Sequence, residues 1–127
     1  MMNTDFKCPS GFVIAEAGVN HDGDLGLALE LAEVAAECGA DAVKFQSFSA
    51  EKLVARGLPA AAYQNQNIGY EQDQIDVLKG LELSQDQTRR IAQKCEAIGI
   101  EFLSTAFDAD SLAFLVHEIG VRKLKIA

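Results

Sequence analysis

The sequence is poor in features that mark membrane-spanning and secreted proteins. It has no tryptophan and only two prolines in 127 residues. No apolar run approaches the ~18 residues of a transmembrane helix, so we expect no membrane span. The start of the sequence lacks the basic and apolar regions of a signal peptide. These absences favour a cytoplasmic protein.

Cysteine is also scarce. Cys8, Cys38 and Cys95 are odd in number, widely spaced and without a CxxC pair, which argues against a disulfide framework or a structural zinc site. Free cysteines in such chains usually pack as small apolar residues. We therefore expect a reduced chain in which the cysteines belong to the core.

Basic residues are outnumbered, with 11 lysines and arginines against 19 acidic residues and a net charge of −8. This balance argues against binding to nucleic acid or to anionic membranes, which requires basic patches. It leaves open a small anionic ligand, because a few local lysines can override the overall sign. The two histidines, His21 and His117, are far apart and have no metal-ligand spacing, so the sequence predicts no metal site within this chain. His21 is instead expected either to contact a substrate or to hydrogen-bond its own turn.

The apolar residues, 49% of the chain, follow an alternating pattern of strands and helices. Glycines precede strand-like runs near 12–17, 42–46, 100–105 and 121–127, and three of them also follow helical stretches, as C-terminal glycines do. The helical stretches are 24–38, 71–80, 84–98 and 108–119. Alternating strands and helices predict a parallel sheet with right-handed crossovers.

The predicted fold class is α/β, of the (β/α)8 TIM-barrel type. Four parallel strands and three main helices make about the first half of such a barrel, which typically needs ~250 residues. Residues 1–127 are therefore interpreted as one incomplete domain, the N-terminal half of a barrel. A fourth strand without a covering helix would be an unprotected edge, so either the chain belongs to a longer protein, which we favour, or it pairs with another copy.

Three charged residues lie at the ends of otherwise apolar predicted strands: Glu16, Lys44 and Lys125. A charge in a buried strand is costly unless it is paired or meets a ligand. Gln46 points the same way as Lys44, because side chains alternate along a strand. Two ammonium groups near the carboxyl ends of strands suit a phosphate or carboxylate. The alternative is that a lysine pairs with Glu16 or Asp108 for packing alone.

Further candidates lie on the loops at the same predicted edge. Glu16 is interpreted as a general base or a hydroxyl-orienting carboxylate, or alternatively as a buried glutamate satisfied by a backbone amide or a lysine. Thr105 is placed to reach the pocket, and Asp108 is expected to cap a helix. The long segment 47–83 is predicted to be a functional flap, in which Tyr63 and Gln64 cover a ligand.

Several of these residues lie in motifs that resemble one family, the sialic acid synthases, which include the N-acetylneuraminate synthases and their legionaminate and pseudaminate relatives. The resemblance covers almost the whole chain from Phe12 onward, in the right order. Asp22 stands where asparagine is commoner, and Ala106 where proline is usual. The motifs are IAEAGVNHDGD at 14–24, GADAVKFQ at 39–46, IEFLSTAFD at 100–108 and LKIA at 124–127.

The resemblance implies an enzyme that condenses phosphoenolpyruvate with an N-acylated sugar aldehyde, such as N-acetylmannosamine, to give a nonulosonic acid and phosphate. It implies a divalent metal, manganese or magnesium, whose ligands come from the second half of the barrel. It also implies a homodimer in which a C-terminal antifreeze-like domain reaches into the partner's site. On this basis the 127 residues alone are expected to be inactive.

Site roles are also implied by the resemblance. Lys44 and Lys125 match the lysines that hold phosphoenolpyruvate, and Glu16 matches the carboxylate near the sugar. Gln46 and Thr105 fall at pocket positions, and Tyr63-Gln64 resembles the family's loop motif. Two other hypotheses remain open: a noncatalytic half-barrel that self-associates or acts as an anion-binding module, and a different phosphate-binding barrel enzyme, such as an aldolase of related sugar acids.

Overall fold

A parallel sheet with helices on one face forms the framework of the protein. The computed structural model describes residues 11–55 and 74–127. Within these ranges the strands lie in the order β1-β2-β3, and both neighbouring pairs are parallel. The strands are β1 (Ile14–Gly18), β2 (Ala42–Ser47) and β3 (Glu101–Ala106). The helices are α1 (Leu25–Glu37), α2 (Ala50–Ala55), α3 (Gln74–Leu81), α4 (Gln85–Ile98) and α5 (Ala109–Phe114), which continues as a π-helical turn (Leu115–Ile119).

Local sequence signals determine where the helices begin and end. Asp24 caps α1 by accepting a hydrogen bond from the Leu27 amide. Ser84 and Gln87 form the reciprocal capping box predicted for α4. Gly99 ends α4 with φ of +79°, a left-handed conformation that glycine adopts without a steric penalty. The predicted starts of these two helices are confirmed to within one residue.

The core lies between the sheet and the pair α1 and α4. Phe45 and Phe102 project from neighbouring strands and stack with ring centroids 5.9 Å apart. Ile91 and Cys95 of α4 are fully buried against them. Burial raises the pKa of the Cys95 thiol to about 11, so that side chain stays protonated and apolar. The expected core role is confirmed for Cys95 and wrong for Cys38, which is exposed; Cys8 lies outside the described residues.

The fourth predicted strand is reduced to a single contact, so the described sheet has three strands rather than four. Lys125 forms one isolated parallel bridge with Thr105. The neighbouring Leu124 and Ile126 are 51% and 84% exposed. A strand is stabilised by a continuous ladder and by packing of its alternate side chains, and neither is present along this segment of the described chain.

The apolar residues of the last helix follow a 3.6-residue period that predicts a buried stripe, and this prediction is partly wrong. The predicted stripe is Leu112, Leu115, Val116 and Ile119. Leu115 is buried as predicted, but Leu112 and Val116 are exposed, and Phe114 is buried in addition. From Leu115 to Ile119 the chain forms a π-helical turn, whose i→i+5 spacing departs from the period on which the stripe was predicted. None of the helices in the two described ranges has the length and apolar character that a bilayer span requires.

Candidate functional site

Strand register places the predicted site residues on one face of the sheet, opposite the helices. Glu16 of β1 is the register partner of Lys44 in β2. Two residues further along β2, Gln46 is the partner of Thr105 in β3, and Thr105 bridges to Lys125. Register partners in a parallel pair point to the same face, and residues i and i+2 share a face. The structure therefore brings all five residues to the carboxyl-terminal half of one sheet face.

Glu16 and Lys44 form an ion pair on this face, in which the Lys44 ammonium donates to Glu16 Oε2. The Lys44 side chain is 14% exposed and that of Glu16 is 50% exposed. The predicted contact between a lysine and Glu16 is therefore confirmed, but the Glu16 side chain is not buried. An ammonium has three donors, so Lys44 retains donors for an anion beyond its bond to Glu16.

A β-bulge lies at the end of β1, directly after Glu16. The register shifts between Glu16 and Gly18, leaving Ala17 buried in the core. Gly18 has φ of +55°, and a Cβ at this position would lie 3.3 Å from Glu16 Oε1 and 3.8 Å from Gln46 Nε2. The bulge thus places the backbone of Gly18 close to the side chains of Glu16 and Gln46. β-Bulges are common beside active sites. Gly18 was not predicted from the sequence, where its only signal was a glycine two residues after a strand-end charge.

Thr105 carries a buried hydroxyl on the site face. The residue is 2% exposed, and its Oγ1 has no hydrogen-bond partner in the described part of the chain. Buried hydroxyls are nearly always hydrogen-bonded, since leaving one unpaired costs free energy. The oxygen is therefore available to a ligand on the face that it shares with Gln46 and Lys125, the last of which is exposed.

His21 lies in the loop between β1 and α1 and is completely buried. Its Nδ1 accepts a hydrogen bond from the Gly23 amide at 2.9 Å, so the predicted bond to its own turn is confirmed. Burial lowers the pKa of His21, although the neighbouring Asp22 charge raises it, and the ring is neutral at pH 7. Its Nε2 lacks a partner among the described residues. Contact with a substrate stays a prediction.

Asp108 follows β3 and is the predicted N-cap of α5. It is buried, and its carboxylate accepts hydrogen bonds from the Ser111 amide and hydroxyl, both at 2.8 Å. It also accepts one from the Ser49 amide at 2.9 Å, a contact that the sequence did not predict. Burial raises the pKa of Asp108, but the hydrogen bonds and the Lys52 charge outweigh burial and lower it overall. The carboxylate is therefore ionised at neutral pH.

Two parts of the sequence prediction are not located on this site. Tyr63 and Gln64 lie outside the described residues. Within residues 11–55 and 74–127, no three histidine, cysteine or acidic side chains form a group that could hold a metal ion. The described residues thus do not fit the implied manganese or magnesium site, and no chemical step is assigned to a metal here. His117 is exposed on the π-helical turn.

The parallel sheet, with helices on one face and polar side chains on the other, is the N-terminal part of a TIM-barrel fold. Residues 31–127 match the NeuB family model, and the chain belongs to this family. It is 50% identical over 115 residues to an N,N'-diacetyllegionaminic acid synthase of Legionella pneumophila, covering 91% of this chain and 32% of that protein. It is 35% identical over 115 residues to the human N-acetylneuraminate-9-phosphate synthase, covering 91% of this chain and 32% of that protein.

Solved structures agree with this assignment. The chain is similar to an N-acetylneuraminic acid synthetase from Leptospira borgpetersenii, solved in complex with citrate, with a TM-score of 0.72 and 34% identity. That match covers 91% of this chain and 35% of the other. The chain thus spans about a third of the length of the relatives that it matches.

Proposed function

We propose that the full-length protein condenses phosphoenolpyruvate with an N-acylated sugar aldehyde, such as N-acetylmannosamine, to give a nonulosonic acid and phosphate. The observation that carries this proposal is the alignment of Gln46, Thr105 and Lys125 in one row, next to the ion pair of Lys44 with Glu16. Membership of the NeuB family and similarity to synthases of legionaminic and N-acetylneuraminic acids support the same reaction class.

The two lysines supply the charge that binds phosphoenolpyruvate. Lys44 is held by Glu16 and keeps donors for an oxygen of the ligand, while Lys125 approaches from beside β3 through its bridge with Thr105. Charge-assisted hydrogen bonds from ammonium to phosphate or carboxylate are stronger than neutral ones. The Thr105 hydroxyl and the Gln46 amide add neutral hydrogen bonds that orient the bound anion.

Glu16 acts on the second substrate. Its carboxylate is half-exposed, and glycine at position 18 places no Cβ beside its Oε1, where one would lie only 3.3 Å away. The methylene carbon of phosphoenolpyruvate forms a bond to the aldehyde carbon, and the aldehyde oxygen takes up a proton to become a hydroxyl. Glu16 orients a hydroxyl of the sugar or accepts the proton that the attacking water releases. Water adds at the neighbouring carbon, and the carbon–oxygen bond to phosphate breaks as phosphate leaves. A carboxylate in hydrogen-bond reach of the reacting group is the usual general base in such a step.

The other groups that the reaction requires are proposed to lie in parts of the protein beyond these 127 residues. These parts are the ligands of a manganese or magnesium ion, the distinguishing contacts to the sugar, and a homodimer contact. The isolated chain is therefore proposed to be inactive. Its cytoplasmic location is part of the same proposal. Measurable condensation by the isolated 127 residues would contradict the proposed inactivity.

A second candidate function, a noncatalytic half-barrel that self-associates or binds anions, is favoured by the exposed apolar edges of the sheet. Phe12, Val13 and Ile14 are exposed beside β1, as are Leu124 and Ile126 beyond β3. Contiguous exposed apolar residues mark interaction surfaces. Light scattering on the isolated chain tests this: a defined dimer supports the module, and a monomer or an aggregate contradicts it.

The decisive experiment is a condensation assay on the full-length protein. Phosphoenolpyruvate and N-acetylmannosamine or a related N-acylated sugar are supplied with manganese, and phosphate release and the mass of the sugar product are measured. We expect Lys44→Ala to lower kcat/KM for phosphoenolpyruvate about 10- to 100-fold, because it removes a charge-assisted contact. Lys94→Ala is the matched control, since Lys94 pairs with Glu33 between α1 and α4, away from the site face. No condensation product with any N-acylated sugar would refute the proposal.

A further inference from the structure

A set of polar contacts joins the ends of β2 and β3, and the family resemblance does not imply any of them. The Phe107 amide donates to the Ser47 carbonyl at 3.0 Å. The hydroxyls of Ser47 and Ser104 lie 2.7 Å apart. Beyond them, the Asp108 carboxylate accepts the Ser49 amide. These contacts hold the segment that leaves β2 directly after Gln46, one of the proposed binding residues.

Asp108 does more than cap a helix. Its Oδ1 accepts the Ser111 amide, which is the capping bond, and its Oδ2 accepts both the Ser111 hydroxyl and the Ser49 amide. The last bond crosses 59 residues of sequence. By contrast, Asp24 caps α1 with a single exposed bond to the Leu27 amide. An ordinary N-cap needs only the local bond, so the buried second oxygen of Asp108 has a separate role.

A second hydrogen bond holds the same segment one residue after Ser49. The Ala50 amide donates to Glu82 Oε2 at 2.9 Å, so the beginning of α2 is joined to the residues that follow α3. The start and the end of the connection between β2 and α4 therefore meet beside Asp108. Any movement of Ser49 shifts both this connection and the end of β2.

We propose that Asp108 is a positioning residue, whose Oδ2 fixes the backbone after β2 and thereby places Gln46 for ligand binding. The expected effect of Asp108 on substrate binding rests on the proposed function. Its expected effect on the backbone after β2 rests on the structure alone. Asp108 itself is not assigned a contact with the reacting atoms. It acts through the Ser49 amide and the end of β2.

Asp108→Asn in the full-length protein separates the two roles. Asparagine caps helices as well as aspartate does, but its amide nitrogen cannot accept a hydrogen bond. One of the two backbone amides, Ser111 or Ser49, must then lose its acceptor. We expect amide hydrogen exchange in residues 47–53 to accelerate about fivefold or more, as loss of one hydrogen bond predicts. We expect KM for the substrates to rise by a similar factor, with kcat changed less.

Asp24→Asn is the matched control, because it makes the same chemical change at an N-cap that has no second partner among the described residues. It should leave both exchange at 47–53 and KM unchanged. Ser49→Pro is the second variant: it removes the donor and leaves the Asp108 cap intact, so the test survives if Asp108→Asn does not fold. It should reproduce the rise in KM.

The outcomes separate the positioning role from the proposed function. Unchanged exchange in both Asp108→Asn and Ser49→Pro would overturn the proposal, as would an equal effect of Asp24→Asn. Faster exchange with an unchanged KM would overturn the placement of Gln46. A wild-type protein with no activity on phosphoenolpyruvate would refute the proposed function, whereas the exchange measurement needs no substrate and would still decide the backbone role.

Discussion

Glu16 and Lys44 are register partners in neighbouring parallel strands, and their side chains form an ion pair on the sheet face opposite the helices. They are 28 residues apart in sequence. Strand pairing alone makes them neighbours, because register partners in a parallel pair point to the same face. The β-bulge follows the pair, between Glu16 and Gly18. The pair holds the Lys44 side chain, which is largely buried, in place before any ligand is bound.

Glu16→Gln should separate a catalytic role from a packing role. The substitution keeps the size of the side chain and removes its charge. If Glu16 is the general base, kcat should fall about 100-fold. The free energy of unfolding should change by less than about 1 kcal/mol, because half-exposed ion pairs contribute little. Steady-state kinetics and urea unfolding measure the two effects, and an unchanged kcat would show that Glu16 only supports Lys44.

Thr105→Val should weaken ligand binding without harming the fold. Valine has nearly the same shape, and the Thr105 hydroxyl has no partner in the described residues. Removing an unpaired buried polar group is neutral or stabilising. We expect the free energy of unfolding to stay the same or rise, while KM for phosphoenolpyruvate increases about 5- to 10-fold for the lost hydrogen bond to ligand.

Thr88→Val is the matched control for Thr105→Val. Thr88 is also buried, but its hydroxyl donates to the Ser84 carbonyl at 3.0 Å. This variant should lose about 1 kcal/mol of stability and leave KM unchanged. If the two variants behaved alike in both measurements, the Thr105 hydroxyl would have no special role in binding.

Gly23→Ala should be markedly more destabilising than Gly39→Ala. Both glycines have positive φ, +73° and +81°, which costs alanine about 1–2 kcal/mol. At Gly39 a Cβ meets nothing within 4 Å, whereas at Gly23 it would lie 2.2 Å from the Gly80 carbonyl oxygen. We expect a further loss of about 1–3 kcal/mol at Gly23 from the clash. Equal losses in chemical denaturation would show that the loop and α3 separate easily.

The stability of the protein should decrease as the pH falls below about 6.5, the ordinary pKa of histidine. Burial lowers the pKa of His21 in the folded protein, so the unfolded chain binds a proton first. Stability therefore rises with pH in this range, with a slope from this group of at most about 1.4 kcal/mol per pH unit. The slope is measured by urea unfolding between pH 6.5 and 5.5.

Two variants test whether His21 causes this dependence of stability on pH. His21→Gln should flatten the dependence, since glutamine does not titrate. His117→Gln, at an exposed position, should retain the wild-type slope. If His21→Gln retained it as well, the buried ring would not be the group responsible.

Local features of the sequence were sufficient to place four of the five described helices, whereas α2 lies inside the segment predicted to be a flap and was missed. The Ser84 capping box, the Asp108 cap and the glycine that ends α4 act through bonds between residues three to five positions apart, and all three were predicted. The motif residues were predicted to share one face for a similarly simple reason, because side chains alternate along a strand. Their register across the three strands was not predicted, because parallel topology alone leaves open which residues of neighbouring strands are partners.

The parts that sequence reasoning missed depend on contacts between distant residues. The bond from the Ser49 amide to Asp108 has no local signature, since any residue at position 49 carries an amide. The fourth strand was predicted from its alternating pattern, yet it makes one bridge. A strand forms only when neighbours supply a ladder and bury its side chains, and the pattern alone does not contain that information.

The sequence by itself determined the class of fold, the positions of all described helices except α2, and the family to which the chain belongs, because these follow from periodicity, capping and motif. Only the tertiary structure decided which groups are buried and what they contact: the ion pair of Lys44, the unpaired hydroxyl of Thr105, and the second partner of Asp108. Burial and long-range hydrogen bonding arise when the chain packs, and they set the chemistry of each side chain.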